Sequence, residues 1–173
     1  MQLTKIIDKK IRLENFVKEK SNITGITNNS KKAKPGMLFI AIEGNQDNGL
    51  SYIDEAVKRG IFGVLISNNL RKIIKLEDNI NILRSDNIRL SSSKIARSFY
   101  PKQPKNIVAI TGTNGKTSVS HYLKYIWHKN NFGSASIGTL GIKYDRFTKK
   151  SDLTTPDPII LHEQLEFLKK RKI

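Results

Sequence analysis

Apolar residues occur along this chain in short continuous runs that alternate with segments of helical spacing. Runs typical of strands occupy residues 23–27, 37–42, 62–66 and 80–83. Helical spacing occurs in residues 3–11, in residues 51–59 after the capping residue Ser51, and from Asp86 to a point before Pro101. Because strands and helices alternate, the pattern predicts layers of an α/β fold.

A further apolar run, Ile-Val-Ala-Ile at residues 107–110, has the composition of a parallel strand that is buried on both faces. Two glycines, Gly112 and Gly115, follow it, and a helix is predicted directly afterwards. The apolar residues of that helix recur at helical spacing and are Val119, Leu123, Ile126 and Trp127. The order of strand, glycine loop and helix is the context in which proteins bind phosphate groups.

The loop between this strand and helix predicts a nucleotide triphosphate site. Glycine allows the backbone to approach phosphate oxygens, and the N–H groups and dipole of a helix N-terminus favour an anion. Lys116 is the predicted catalytic residue, reaching the β and γ phosphates of ATP, and the Thr117 hydroxyl is the predicted ligand of Mg²⁺. The residues predicted to bind the nucleotide are Gly112, Thr113, Asn114, Gly115, Lys116, Thr117 and Ser118.

The fit to the general P-loop pattern is partial. The first glycine of that pattern would fall at Ile110, and the chain has Gly112 instead. The other interpretation is an ordinary glycine turn before a helix that carries a lysine in its first turn. The strand exit, the two glycines and the Lys116-Thr117 pair together favour the phosphate site.

Two prolines in residues 100–105, Tyr-Pro-Lys-Gln-Pro-Lys, predict a boundary between two domains. We therefore predict a first domain at residues 1–100, a linker at 101–105 and a second domain at 106–173. The second domain contains a Gly/Ser-rich, hairpin-like strand region at 132–142 and a last helix at about 158–172. These elements amount to only the first part of a mainly parallel P-loop domain.

Composition limits the functional classes. The 173 residues include no cysteine, which excludes disulfides, thiolate metal sites and cysteine nucleophiles. No apolar run approaches the roughly 18 residues of a membrane span, and the N-terminus lacks the apolar core of a signal peptide. A cytoplasmic protein without a membrane span is therefore expected.

The net charge of +16, from 31 basic against 15 acidic residues, is typical of nucleic-acid-binding proteins. Here the basic residues are mostly lysines and are spread along the whole chain. They accompany no zinc finger, no aromatic-basic RNA motif and no long basic run. We therefore expect no dedicated nucleic-acid binding.

Thr-Gly-Thr-Asn-Gly-Lys-Thr-Ser at residues 111–118 resembles the ATP loop of the Mur ligases, which add amino acids to the UDP-linked peptidoglycan precursor. Two earlier segments follow the spacing of the same family, Asn-Ser-Lys at residues 29–31 and Pro-Gly-Met-Leu-Phe-Ile-Ala at 35–41. Leu-Thr-Thr-Pro-Asp-Pro at 153–158 resembles the substrate loop of the branch that adds a diamino acid. The resemblance covers nearly the whole chain.

The resemblance implies that a small α/β domain binds the uridine end of the precursor through Asn28, Ser30, Asn45, Gln46 and Asp47. It implies that Thr154 and Thr155 hold the sugar-peptide part. The last two residues have a second interpretation, because Thr-Pro-Asp-Pro begins a helix well in any protein. The Asp-Ser-Arg usual in the family is Asn-Ser-Lys here, so a carboxylate is lost and a forked guanidinium becomes a point charge.

The activity that the resemblance implies is ATP-dependent ligation of a diamino acid, meso-diaminopimelate being the commoner one, to UDP-N-acetylmuramoyl-L-alanyl-D-glutamate in the cytoplasm. The full-length enzyme is expected to be a monomer. The chain itself is expected to be an N-terminal fragment that is inactive alone. Three alternatives stay open: a D-alanyl-D-alanine-adding ligase, a folate-polyglutamating enzyme, and a nucleotide-binding module without catalytic activity.

Overall fold

The computed structural model describes residue 2 and residues 11–15, 22–43, 49–69, 80–150 and 155–173. The chain divides into two compact units, Met1–Phe99 and Tyr100–Ile173. The predicted linker residues 101–105 lie at the start of the second unit. The helix predicted for residues 3–11 lies outside the described residues except for Ile11, which begins a strand instead.

The first unit is built on a five-stranded sheet with the order β1-β5-β4-β3-β2. Its strands are β1 (Ile11–Asn15), β2 (Gly25–Thr27), β3 (Met37–Ile40), β4 (Gly63–Ser67) and β5 (Asn81–Ser85). Strands β2 to β5 pair in parallel, and β1 pairs antiparallel to β5 at the edge. The four parallel strands confirm the predicted runs, with ends that differ by one or two residues.

Two helices accompany this sheet, α1 (Ile53–Lys58) and α2 (Ile88–Phe99). The prediction that Ser51 caps the first of them is wrong. Ser51 lies in a short 3-10 helix, Gly49–Tyr52, and no side chain caps α1. At α2 the cap is Asn87, whose Oδ1 accepts from the Leu90 N–H at 3.0 Å, so the helix begins slightly after the predicted Asp86.

One part of the core of the first unit lies between the sheet and α1. Ile53 and Ala56, the inward residues of α1, are buried against β3 and β4. Gly63 is required where β4 meets β5, because a Cβ there would lie 2.6 Å from the Asn81 carbonyl oxygen. The buried members of this core are Ala33, Phe39, Ala41, Ile53, Ala56, Ile61, Val64, Ile66 and Ile80.

The second unit contains α3 (Lys116–Lys129), β6 (Ala135–Gly138), β7 (Gly141–Tyr144), β8 (Phe147–Lys149) and α4 (Pro158–Lys170). The three strands form an antiparallel meander. Ile142 and Tyr144 of β7 and Leu168 of α4 form a small core. The predicted hairpin and last helix are thus present, and no described helix is long and apolar enough to cross a membrane.

The strand predicted at residues 107–110 is not formed. None of the described strands pairs with this segment, and Ile107 and Val108 are 53% and 54% exposed. A parallel strand is held by hydrogen bonds to neighbouring strands, and the described strands of this unit, β6, β7 and β8, pair only with one another. The following helix, α3, likewise has no buried residue.

Candidate functional site

The loop before α3 depends on two glycines with positive φ angles. Gly112 has φ 145° and Gly115, the residue that caps α3, has φ 78°. Both values are strained for residues with a side chain. A Cβ at Gly115 would meet no atom of the described residues within 4 Å, so among these residues the space in front of the helix start is open.

The backbone N–H groups at the start of α3 are available for an anion. In the described part of the chain, the N–H groups of residues 115–118 have no hydrogen-bond acceptor, and the first bond of the helix is that from the Val119 N–H to the Gly115 carbonyl. Helix N-termini carry the positive end of the helix dipole. Residues 111–118 include no acidic side chain, so the loop itself places no negative charge beside these donors.

The Lys116 side chain folds back over the loop. Its Nζ donates to the Gly112 carbonyl and, at 3.2 Å, to the Thr113 carbonyl. The ammonium therefore lies beside the backbone of residues 112 and 113, in the loop that precedes α3. The predicted lysine and the predicted glycine loop form one cluster.

Thr117 has a hydroxyl that makes no hydrogen bond within the described residues, while its carbonyl accepts from the Ser120 hydroxyl at 2.8 Å. No group of three or more His, Asp or Glu side chains among the residues that the structure describes could hold a metal ion. A divalent cation at Thr117 would therefore take its remaining oxygen ligands from phosphate groups and water. The donor set fits a Mg²⁺-nucleotide and does not fit a metal held by protein alone.

A cavity of about 680 Å³ in the second unit borders this cluster. Lys116 and Thr117 line one part of it, and Thr155 and Pro156 also line it. Much of the remaining wall is apolar and includes Ile107. A phosphate group fits only the part next to Lys116.

In the first unit, the turn after β2 holds Asn28 and Ser30. Asn28 is exposed, whereas Ser30 is 5% exposed and begins a short 3-10 helix, Ser30–Lys32. Asn29 caps this helix, because its Oδ1 accepts from the Lys31 N–H at 2.9 Å. Asparagine and aspartate are equally good caps, so the Asn-Ser-Lys departure from the family pattern preserves the turn.

The Ser30 hydroxyl donates to Oε2 of Glu55 on α1 at 2.5 Å. Oε1 of the same carboxylate accepts from Arg59 at 3.1 Å. The hydrogen bond from Ser30, followed by Arg59 and Lys31, lowers the pKa of Glu55, while burial opposes the shift. Glu55 was missed in the sequence, although its spacing of four residues from Arg59 indicated a paired carboxylate.

The remaining predicted substrate residues are only partly described. Asn45, Gln46, Asp47 and Thr154 lie outside the described residues. Thr155 is exposed and precedes α4, which begins as the alternative interpretation expected: Asp157 Oδ1 accepts from the Ile159 and Ile160 N–H groups, with Pro158 in the first turn. The assignment of these residues, and of Asn28 and Ser30, to a substrate stays a prediction.

Comparison with known proteins gives a consistent result. The family described as Mur ligase middle domain matches residues 110–173. A UDP-N-acetylmuramoyl-L-alanyl-D-glutamate–2,6-diaminopimelate ligase of Rhizobium meliloti is 39% identical over 83% of this chain and 29% of its own length. The corresponding protein of Mesorhizobium japonicum is 36% identical over 84% of this chain and 30% of its own length.

A solved structure of a ligase with the same name shares the fold. It matches with a TM-score of 0.70 at 23% identity, over 88% of this chain and 31% of that one. The chain thus spans about 30% of the length of the curated relatives it matches. By its match to the middle domain, the segment of residues 110–173 belongs to the Mur ligase family.

Proposed function

We propose that this chain is the N-terminal part of an ATP-dependent ligase that adds a diamino acid, meso-diaminopimelate, to UDP-N-acetylmuramoyl-L-alanyl-D-glutamate. The observation that carries the proposal is the open helix start at residues 115–118 with Lys116 beside it. The relatives named for this reaction supply the identity of the substrates. We place the reaction in the cytoplasm, where ATP and nucleotide-linked precursors are available.

Each loop residue has a definite role in the proposal. The N–H groups of residues 115–118 bind phosphate oxygens, and Lys116 leaves the Gly112 and Thr113 carbonyls to bind the β and γ phosphates. Thr117 holds Mg²⁺, which when bound screens the phosphate charge. ATP, as a substrate, supplies the phosphoryl group that activates the precursor carboxylate for attack by the amine.

In this proposal, the first unit binds the uridine diphosphate end of the precursor. Asn28, Ser30 and residues 45–47 are assigned to the uridine end, and Thr154 and Thr155 to the sugar-peptide part. The turn at residues 28–31 supports this assignment, because it presents exposed polar groups beside the cationic Lys31.

ATP affinity tests the loop assignment. Lys116→Ala removes a charge-assisted contact worth about 1.5 to 3 kcal/mol, so ATP should bind roughly ten to a hundred times more weakly. Lys102→Ala is the matched control, because Lys102 is exposed and lies in the same unit. Calorimetry at fixed Mg²⁺ and salt would reject the loop if both variants bound ATP as well as the wild type.

A chimera tests the proposed reaction itself. The chain replaces the matching 29% of the Rhizobium meliloti relative, and phosphate release from ATP is measured with and without precursor and diaminopimelate. We expect release that requires both substrates and is lost with Lys116→Ala. The 173-residue chain alone should bind ATP without forming the amide, because the reacting groups must be held together for the reaction. A chimera that binds ATP and both substrates but never forms the amide would favour a binding module.

A further inference from the structure

The Ser30 hydroxyl is unusually constrained for a residue assigned to a ligand. Its oxygen lies at the base of the turn after β2, with only 5% of the residue exposed, and its single hydrogen points to Oε2 of Glu55. Asn28 and Lys31, on either side, are exposed. The turn is fixed from within by the Asn29 cap and from below by Glu55.

A serine hydroxyl has one hydrogen to donate and two lone pairs that accept. An ionised carboxylate can only accept, so the hydrogen of Ser30 is committed while Glu55 is charged. The hydrogen bond from Ser30 itself, together with Arg59 at 3.1 Å and the nearby Lys31, lowers the pKa of Glu55 and so keeps the carboxylate charged. Only the lone pairs of Ser30 Oγ then remain for a ligand.

We propose that Glu55 is a positioning residue that fixes Ser30 Oγ as a hydrogen-bond acceptor, and that this acceptor selects a pyrimidine with an N3–H, uracil, over one with a bare N3, cytosine. The proposal rests on the proposed function, which brings a uridine diphosphate to this turn. Uracil donates from N3, whereas the N3 of cytosine is an acceptor. Two acceptors facing each other leave a polar group unpaired, which costs more than a missing contact.

The diphosphate does not contribute to this selection, because it is common to both nucleotides. The charge of Lys31 interacts with the diphosphates of UDP and CDP equally. The preference for one base over the other is therefore a direct measure of the Ser30 acceptor. A purely structural role for Glu55 would weaken both nucleotides by the same factor.

The test uses the whole chain and NMR titrations with UDP and with CDP, followed at the amides of residues 28–31 so that binding at the ATP loop is scored separately. The wild type should prefer UDP by roughly tenfold. In Glu55→Gln the preference should fall to about twofold, because the glutamine amide can donate and so releases the Ser30 hydrogen toward the base. Ser30→Ala should weaken UDP, which loses its acceptor, and strengthen CDP, which no longer faces a second acceptor.

Asp54→Asn is the matched control, since it removes the same charge from the adjacent, exposed position of α1 and should keep the full preference. Unchanged amide shifts in β3 and β4 establish that each variant is folded. An unchanged preference in Glu55→Gln, or an equal loss for both nucleotides, overturns the inference while the uridine site stands. If neither nucleotide changes the amide chemical shifts of residues 28–31 in the folded wild type, the uridine site and the inference both fail.

Discussion

Two apolar runs of similar composition end in opposite environments in this molecule. Val64, Leu65 and Ile66 of β4 are fully buried, and their strand is paired on both sides by β3 and β5. Residues 107–110, Ile-Val-Ala-Ile, form no strand, and Ile107 and Val108 are more than half exposed. A buried parallel strand is thus a property of three adjacent strands, which a single apolar run does not determine.

The helices show the same contrast. The short α1 buries Ile53 and Ala56 against its sheet. The longer α3, with Tyr122 and Ile126 69% and 52% exposed, buries no residue. The first unit therefore derives its stability from a closed core, and the loop of the second unit rests on local backbone geometry.

The largest expected effect compares two isoleucines. Ile66→Ala should destabilise the first unit by about 2 to 5 kcal/mol, because it opens a cavity in a closed core. Ile107→Ala should change the free energy of unfolding by about 0.5 kcal/mol or less, since that side chain is 53% exposed. Urea unfolding followed by far-UV circular dichroism measures the first change, and the fluorescence of the single tryptophan, Trp127 of α3, measures the second. A large loss from Ile107→Ala would place residues 107–110 in a packed environment in solution.

Two glycines give the next largest difference. Gly63→Ala forces a Cβ to within 2.6 Å of the Asn81 carbonyl oxygen, and overpacking of this kind should cost about 2 to 3 kcal/mol. In the described part of the chain, a Cβ at Gly115 meets no atom, so Gly115→Ala carries only the strain of its φ angle of 78°, about 1 kcal/mol. Thermal unfolding measures both costs. Equal costs would mean that the space before α3 is filled in solution.

The exposed apolar residues of the second unit should cause association. We expect the apparent mass to rise with protein concentration, and Ile107→Ser to weaken the association about fivefold, because apolar area is worth about 25 cal/mol per Å². Thr148→Ser, on the exposed strand β8, is the control. Sedimentation velocity decides the matter, and a monomer at every concentration would contradict the expectation.

The smallest expected effects are changes in the stability of each unit with pH. Glu55 has a lowered pKa in the folded chain, so its contribution to stability is present above its ordinary value of 4.5 and is lost as the pH falls below it. Burial, with Glu163 and Glu166, raises the pKa of Tyr100, so the contribution of this group is present below pH 10.0 and is lost as the pH rises through the raised pKa. The first unit should therefore weaken in acid, less so in Glu55→Gln, and the second in alkali, less so in Tyr100→Phe. The check is the unfolding midpoint measured across pH in the wild type and in both variants. The same pH dependence in all three proteins would count against these contacts.

Most of the fold could be predicted from the sequence where the signal is local. The parallel strands of the first unit and the glycine loop with α3 are encoded in short runs of residues and are present. Strand β1 was missed because its alternation covers only five residues, Ile11–Asn15, and its partner is distant in the sequence. The predicted strand at 107–110 was wrong for a related reason, since pairing depends on other segments.

The candidate site shows the same difference between local and distant signals. Lys116 and its loop follow from a contiguous motif, and the structure brings them together. Glu55 acts on Ser30 across 25 positions of the chain, and nothing adjacent to either residue indicates the contact. Distant side-chain pairs of this kind become visible only when the fold sets them side by side.

The position of Lys116 would make the proposed nucleotide binding at this loop an exchange reaction. The ammonium already has two carbonyl partners, those of Gly112 and Thr113, and a ligand must displace them before it gains the lysine. For an anion of low charge, the bond to Lys116 is little stronger than the two carbonyl bonds that are lost. For a triphosphate, the charge-assisted bonds to the lysine are stronger than the two bonds to neutral carbonyls. The carbonyl groups of the loop thus compete with the ligand for Lys116. A ligand of low charge would leave the lysine bonded to the Gly112 and Thr113 carbonyls.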